Sequence, residues 1–352
     1  MPNMHDDVQE RRVRAAFHTR ACAAGLCVGA QLFLAGCAVG MPLALSSAWL
    51  AALPALPLAA WLTIRSRRAL LHPKARAGYG VLCAAMLACA AFALLSITGF
   101  AGQTLCEQSS ALWIETAALI GVLLCAVPGA AGAARLCYAL RYALPALALG
   151  LSMIHLPMHV PVGLFPLLGA GPRALGLAVL SMLFGAAPAL MLSLLPQELA
   201  GLDRAKIAVP DVRFFLVRVL AGALAGVILL FLTSACTTYE SIEQSSEWSA
   251  RLRMAAGNQP HEGIAQMALI LSKLMAMLLL AANMLCAAQQ ALGLALPRLS
   301  GRLWGLLFCG AALAAVLLAR IFLGDAPMLA AAPTIALAAV LAAAWSGREQ
   351  CA

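Results

Sequence analysis

The chain has 352 residues, 63 % of them hydrophobic and only 11 % charged, with a mean hydropathy of +0.93 and a formal net charge of +9. Soluble domains carry about 25 % charged residues, so disorder, a collagen-like repeat, a small disulfide scaffold and an ordinary soluble enzyme are all excluded. Apolar runs of about 20 residues recur along the whole length and match helices crossing a hydrocarbon core of about 30 Å.

In chain order, the runs predict ten spans at about 21–39, 44–64, 78–100, 110–131, 138–157, 173–196, 214–236, 264–288, 301–321 and 327–345. Residues 1–20 and 346–352 are then short tails around a single membrane domain, 21–345. Seventeen Lys and Arg fall on the side that holds both termini and three on the other. By the positive-inside rule both termini face the cytosol, so the basicity records topology and contact with the lipid surface rather than nucleic-acid binding.

Within the first span lie Gly25, Gly29 and Gly36, and within the sixth Gly176, Gly185 and Pro188. Proline removes a backbone donor and obstructs the preceding turn, which predicts a weakened helix midway along span 6. Two ionisable residues fall inside spans. Glu115 sits near the start of the fourth and is expected at the interface; Lys273 lies deep in the eighth, where a charge needs a partner or a polar cavity. Gln31, Asn283, Gln289 and Gln290 are further polar groups in or near spans, suited to interhelical hydrogen bonds or to ligand contact. The longest outer loop, 237–263, offers Tyr239 and Trp248 as headgroup anchors.

The 12 cysteines form no CxxC pair; most sit in spans as small apolar groups, and only Cys106 and Cys236 fall near the outer surface. His155 and His159 stand four apart, but Pro157 and Pro161 argue against the helix that a metal pair needs. No hydrolase triad, zincin motif or nucleotide-binding glycine loop is present, so the chain reads as a binder or transporter rather than an enzyme, with no cofactor.

The stretch LFPLLGAG at 164–171 leads into PRALGLAVLSMLFGAAPALMLSLLP, ending at Pro196. This block resembles the spore germination permease family, the B subunits of endospore germinant receptors, in which a Leu-Pro-Leu-Leu-Gly-x-Gly loop precedes a Ser-x-x-Phe-Gly element. Here the matching positions are Pro166, Leu167, Leu168, Gly169 and Gly171, then Ser181, Phe184, Gly185 and Pro196. SSAWL at 46–50, SALWI at 110–114 and GAARL at 132–136 are similar to other family stretches in the same order, the last as a cytosolic turn before span 5. Ala170 and Ala186 depart from the pattern where acidic residues are common, and Ser46 and Ser47 replace a Gln-Asp pair.

The resemblance implies an all-α polytopic membrane protein with a LeuT-like core: a five-plus-five inverted repeat whose helices 1 and 6 are broken. It implies a place in the spore inner membrane beside an A subunit and a lipoprotein C subunit, and recognition of a small-molecule germinant, an amino acid by preference. The expected midplane pocket is framed by a break in span 1 near Gly29 and Gln31 and one in span 6 from Ser181 through Phe184 to Gly185, with Phe92 and Lys273 completing its walls. The alternative on the same scaffold is a secondary active transporter of amino acids or related small solutes.

Overall fold

The computed structural model describes residues 4–71, 76–104, 109–154, 171–197, 212–236, 263–297, 301–323 and 338. Among them every regular element is helical, as a hydrocarbon environment demands, since a helix satisfies its backbone within one segment. Seven helices are long and apolar enough to cross a membrane, or eight if one sharply bent pair counts as a span. The expected tenth span at 327–345 (Ala338 apart), the outer loop 237–262, His155, His159, Cys106 and the Leu164–Ala170 part of the motif lie outside the described residues.

Span 1 is α1 (Met4–Ala35), which passes into a π-helical segment (Gly36–Gly40) and a short α2 (Met41–Ala44). Span 2 is built from α3 (Ala48–Ala52) and α4 (Ala55–Leu71), and span 3 is α5 (Arg76–Thr104). Then come α6 (Ala111–Ala126), α7 (Gly129–Leu140) and α8 (Ala143–Ile154). Span 6 begins as α9 (Pro172–Met182) and continues in 3-10 geometry from Leu183 to Gln197. Spans 7, 8 and 9 are α10 (Val212–Cys236), α11 (Gly263–Ala295) and α12 (Arg302–Leu323).

Packing follows the two halves of the chain. Span 1 packs on span 6, span 2 on span 7 and span 3 on span 8, each helix against its counterpart five spans later. Span 1 is the central element and is almost wholly enclosed from Ala21 to Met41. It is lined by Ala, Gly and Cys, small residues that let backbones approach where lipid offers no hydrophobic drive for helix association. α6, α8 and α12 lie at the periphery and turn Leu112, Trp113, Leu147, Leu303, Trp304 and Phe308 outward.

Two expectations are corrected. Gly29 to Gln31 form unbroken α-helix, and span 1 departs from α geometry only at Gly36–Gly40. The stretch GAARL is part of α7 rather than a turn. The reversal comes earlier: α6 and α7 meet at 100°, where Pro128 removes a donor and Gly129 takes φ 76°. Beyond the bend, Ala130, Ala133, Ala134 and Cys137 form a buried stripe at helical spacing that holds α7 against α1 and α11. Span 6, by contrast, changes helix type at Met182–Leu183, within the predicted Ser181–Gly185 window.

Candidate functional site at the meeting of spans 1 and 6

Gly185 sits against Leu32 of α1 so closely that a Cβ there would lie 2.8 Å from Leu32 Cγ and 3.0 Å from its Cα. The change to 3-10 geometry thus brings span 6 directly onto the middle of span 1. One residue earlier, Phe184 is fully buried and meets Phe92 of α5 edge-on, with centroids 5.4 Å apart at 90°, a favoured geometry for aromatic pairs. Ser181 is also buried, but its hydroxyl donates to the Leu177 carbonyl at 3.1 Å, four residues back along its own helix.

Next to Leu32 on α1 stands Gln31, with no solvent exposure; neither its amide nitrogen nor its oxygen has a hydrogen-bond partner. A buried polar group left unsatisfied costs about 1–3 kcal/mol, which makes Gln31 an exception needing an explanation. A second buried amide is half-satisfied. Asn283 of α11 donates to Cys137 Sγ at 3.1 Å and to the Leu279 carbonyl at 2.8 Å, while its own oxygen is unpartnered. Cys27, one turn before Gln31, lies close to Cys137.

Gly29 and Lys273 lie elsewhere. Gly29 is on the opposite side of the α1 turn from Gln31 and packs on α10, where a Cβ would strike the Gly222 carbonyl oxygen. Gly25 and Gly222 meet in the same way, as do Gly29 and Gly226, so Gly25-xxx-Gly29 and Gly222-xxx-Gly226 form a matched close crossing. Beside it is a largely apolar cavity of about 80 Å³, lined among others by Gly29, Phe33, Pro145, Gly226, Ser272 and Lys273. Lys273 is buried, and its Nζ lies 5.1 Å from the Phe33 ring centroid, a cation–π contact. The structure therefore packs Gly185 on Leu32 and Phe184 on Phe92, leaves Ser181 bonded within its own helix, and places Gly29 and Lys273 around a separate cavity.

Glu115 is enclosed within the bundle. It is buried and accepts from Arg320 of α12 at 3.1 Å, and the same guanidinium nitrogen donates to Thr98 of α5 at 2.8 Å. In sequence, Arg320 is a charge near a span end like several others; nothing local marks its partner.

No protein-family model matches the sequence, and no curated protein matches it. Solved structures do match in fold. The manganese transporter of Eremococcus coleocola, in complex with an aromatic bis-isothiourea substituted compound, superposes with a TM-score of 0.54 at 13 % identity, over 95 % of this chain and 77 % of that one. Two single-substitution variants of that transporter give 0.55 over the same coverage. This chain has the fold of a polytopic membrane transporter, LeuT-like, with irregular spans 1 and 6 in mutual contact.

Proposed function

We propose that this chain binds a small organic nutrient where spans 1 and 6 meet, and that it is the B subunit of a spore germinant receptor working with an A subunit and a lipoprotein C subunit. The observation that carries the binding reading is Gln31, a desolvated amide with an unused donor and an unused acceptor, one residue along α1 from the Gly185–Leu32 contact. A ligand bearing both a carboxylate or amide acceptor and an N–H donor would satisfy both atoms, and a free amino acid has both. Among the described residues no group of three or more His, Cys, Asp or Glu is placed to hold a metal ion, and manganese, the cargo named for the solved neighbour, is for that reason not the ligand proposed here.

The receptor assignment itself rests on the block from Leu164 to Pro196. Its membrane would be the spore inner membrane, with both termini cytosolic as the placement of Lys and Arg suggests. Ligand binding would shift the balance between two packings of span 6 against span 1, to the extent that it binds one better than the other.

The test is nutrient-triggered germination of spores with and without the chain, across single amino acids and sugars. Loss of response to one nutrient class, restored by the wild type but not by a membrane-inserted Gly185→Leu variant, is the expected result. An unchanged response to every nutrient would overturn the receptor role. The second reading, a secondary transporter, is favoured by the fold match to a transporter; accumulation of a labelled amino acid by proteoliposomes would establish it.

A further inference from the structure

Away from the interior site, α1, α10 and the turn between α7 and α8 bring together a group of side chains that the nutrient reading does not use. One guanidinium nitrogen of Arg218 lies 3.5 Å from Tyr142 Oη, and the other terminal nitrogen lies 3.4 Å from His18 Nε2. Arg141 lies 3.7 Å from the centroid of the Tyr138 ring and 4.5 Å from that of Tyr142, and donates to the Tyr138 carbonyl. Its Nε is shut off from solvent without a hydrogen-bond partner. The His18 ring completes the group, edge-on to Tyr138 at 5.1 Å and tilted against Phe214 at 4.8 Å.

Neither guanidinium pairs with a carboxylate among the described residues. Among the described residues two cations are therefore gathered around one phenol with no carboxylate paired to either, an arrangement that an external anion would relieve. Arginine forks suit phosphate oxygens, and a tyrosine hydroxyl adds a further donor. Tyr142 is 62 % exposed, so the group can be reached from outside the bundle. On the same two helices, Leu147 of α8 and Val217 and Leu224 of α10 are exposed apolar side chains, a surface for acyl chains below a bound headgroup. All four polar residues lie at ends of spans that face the side rich in Lys and Arg, where anionic lipid concentrates.

We propose that Arg141, Arg218, Tyr142 and His18 form a phosphate site that holds the headgroup of an anionic phospholipid at the junction of α1, α8 and α10. The site is independent of any nutrient pocket, and its occupant would tie α8 to the glycine-packed pair of α1 and α10.

The full chain, reconstituted in nanodiscs of phosphatidylcholine alone or mixed with phosphatidylglycerol, provides the test. Phosphatidylglycerol is expected to raise the unfolding midpoint and to remain bound in native mass spectrometry. The Arg141→Gln/Arg218→Gln double variant is expected to lose about thirtyfold in phosphatidylglycerol affinity, with an unchanged midpoint in phosphatidylcholine alone. Should that variant fail to fold, Arg141→Lys/Arg218→Lys, which keeps the charge but not the fork, is expected to give a smaller loss. Equal retention of phosphatidylglycerol by the wild type and a folded variant would overturn the proposal. Protection by inorganic phosphate in detergent that matches the lipid effect, and is lost in the variant, would keep the phosphate site but overturn its lipid occupant.

Discussion

Arg320 and Glu115, 205 residues apart in the chain, form a 3.1 Å ion pair with the Glu115 side chain 5 % exposed and the Arg320 side chain 18 % exposed. With Thr98 the pair ties α12 and α6 to α5, the helix that packs along α11 and contributes Phe92 to the interior site. Breaking such a pair leaves an uncompensated buried charge, at a cost of about 3–5 kcal/mol. Glu115→Ala is therefore expected to lower the unfolding midpoint strongly, while Glu115→Gln combined with Arg320→Met recovers much of the loss. If the double variant is no more stable than Glu115→Ala, the pairing is not what holds these helices.

The glycines of α1 and span 6 should respond very differently to the same added methyl. At Gly29 the Cβ meets backbone of α10, which cannot give way without moving the helix; Gly29→Ala should cost about 1–3 kcal/mol. At Gly176 a Cβ meets nothing within 4 Å, so Gly176→Ala should be neutral or gain about 0.5–1 kcal/mol from the lower entropy cost of alanine in a helix. Equal effects in thermal unfolding would contradict the α1–α10 crossing.

A residue kept for ligand binding and one kept for packing can be told apart at Gln31. Gln31→Leu removes two unsatisfied buried atoms and should raise stability, by about 1–3 kcal/mol if the new side chain fits. It should at the same time abolish the nutrient response. A destabilised variant that still responds would mean that Gln31 is structural.

Tyr142 offers a spectroscopic check on the basic group. Arg141 first, and then Arg218, hold its phenol below the ordinary range. Of the four tyrosines, one should therefore ionise early in an alkaline titration followed by tyrosinate absorbance. Tyr142→Phe should remove that step and Arg141→Gln should move it upward. Since the phenolate supplies an internal counter-charge to Arg141 and Arg218, retention of an anionic lipid should fall as pH rises through the step. His18 faces the same Arg218 but is not the group that titrates there.

Much of the architecture is legible in the sequence because hydropathy is a local sum. Membrane class, seven of the spans, the enclosed small-residue face of α1 and the altered helix near Ser181–Gly185 all follow from which residues are apolar, small or prolyl along one segment. The 100° bend after Ala126 also has local causes, in Pro128 and Gly129, though the helix that follows it reads as a turn until its buried alanine stripe is seen against neighbours. Ser181 and Phe184 come forward as candidate positions only through the motif, whereas Phe92 lies in no motif and is tied to span 6 only by its contact with Phe184.

What the tertiary structure alone decided concerns partners. Glu115 has no visible partner until α12 delivers Arg320; Gly29 reads as a break in a helix until α10 presents Gly222 and Gly226 to it; Gln31 and Asn283 read alike until one is seen to have no partner and the other to donate to Cys137. A sequence specifies which faces of a helix can be buried, because that depends on residues a few positions apart. Which helix covers each face is set by packing among all the spans together, and the chemistry of a buried polar group depends on that neighbour.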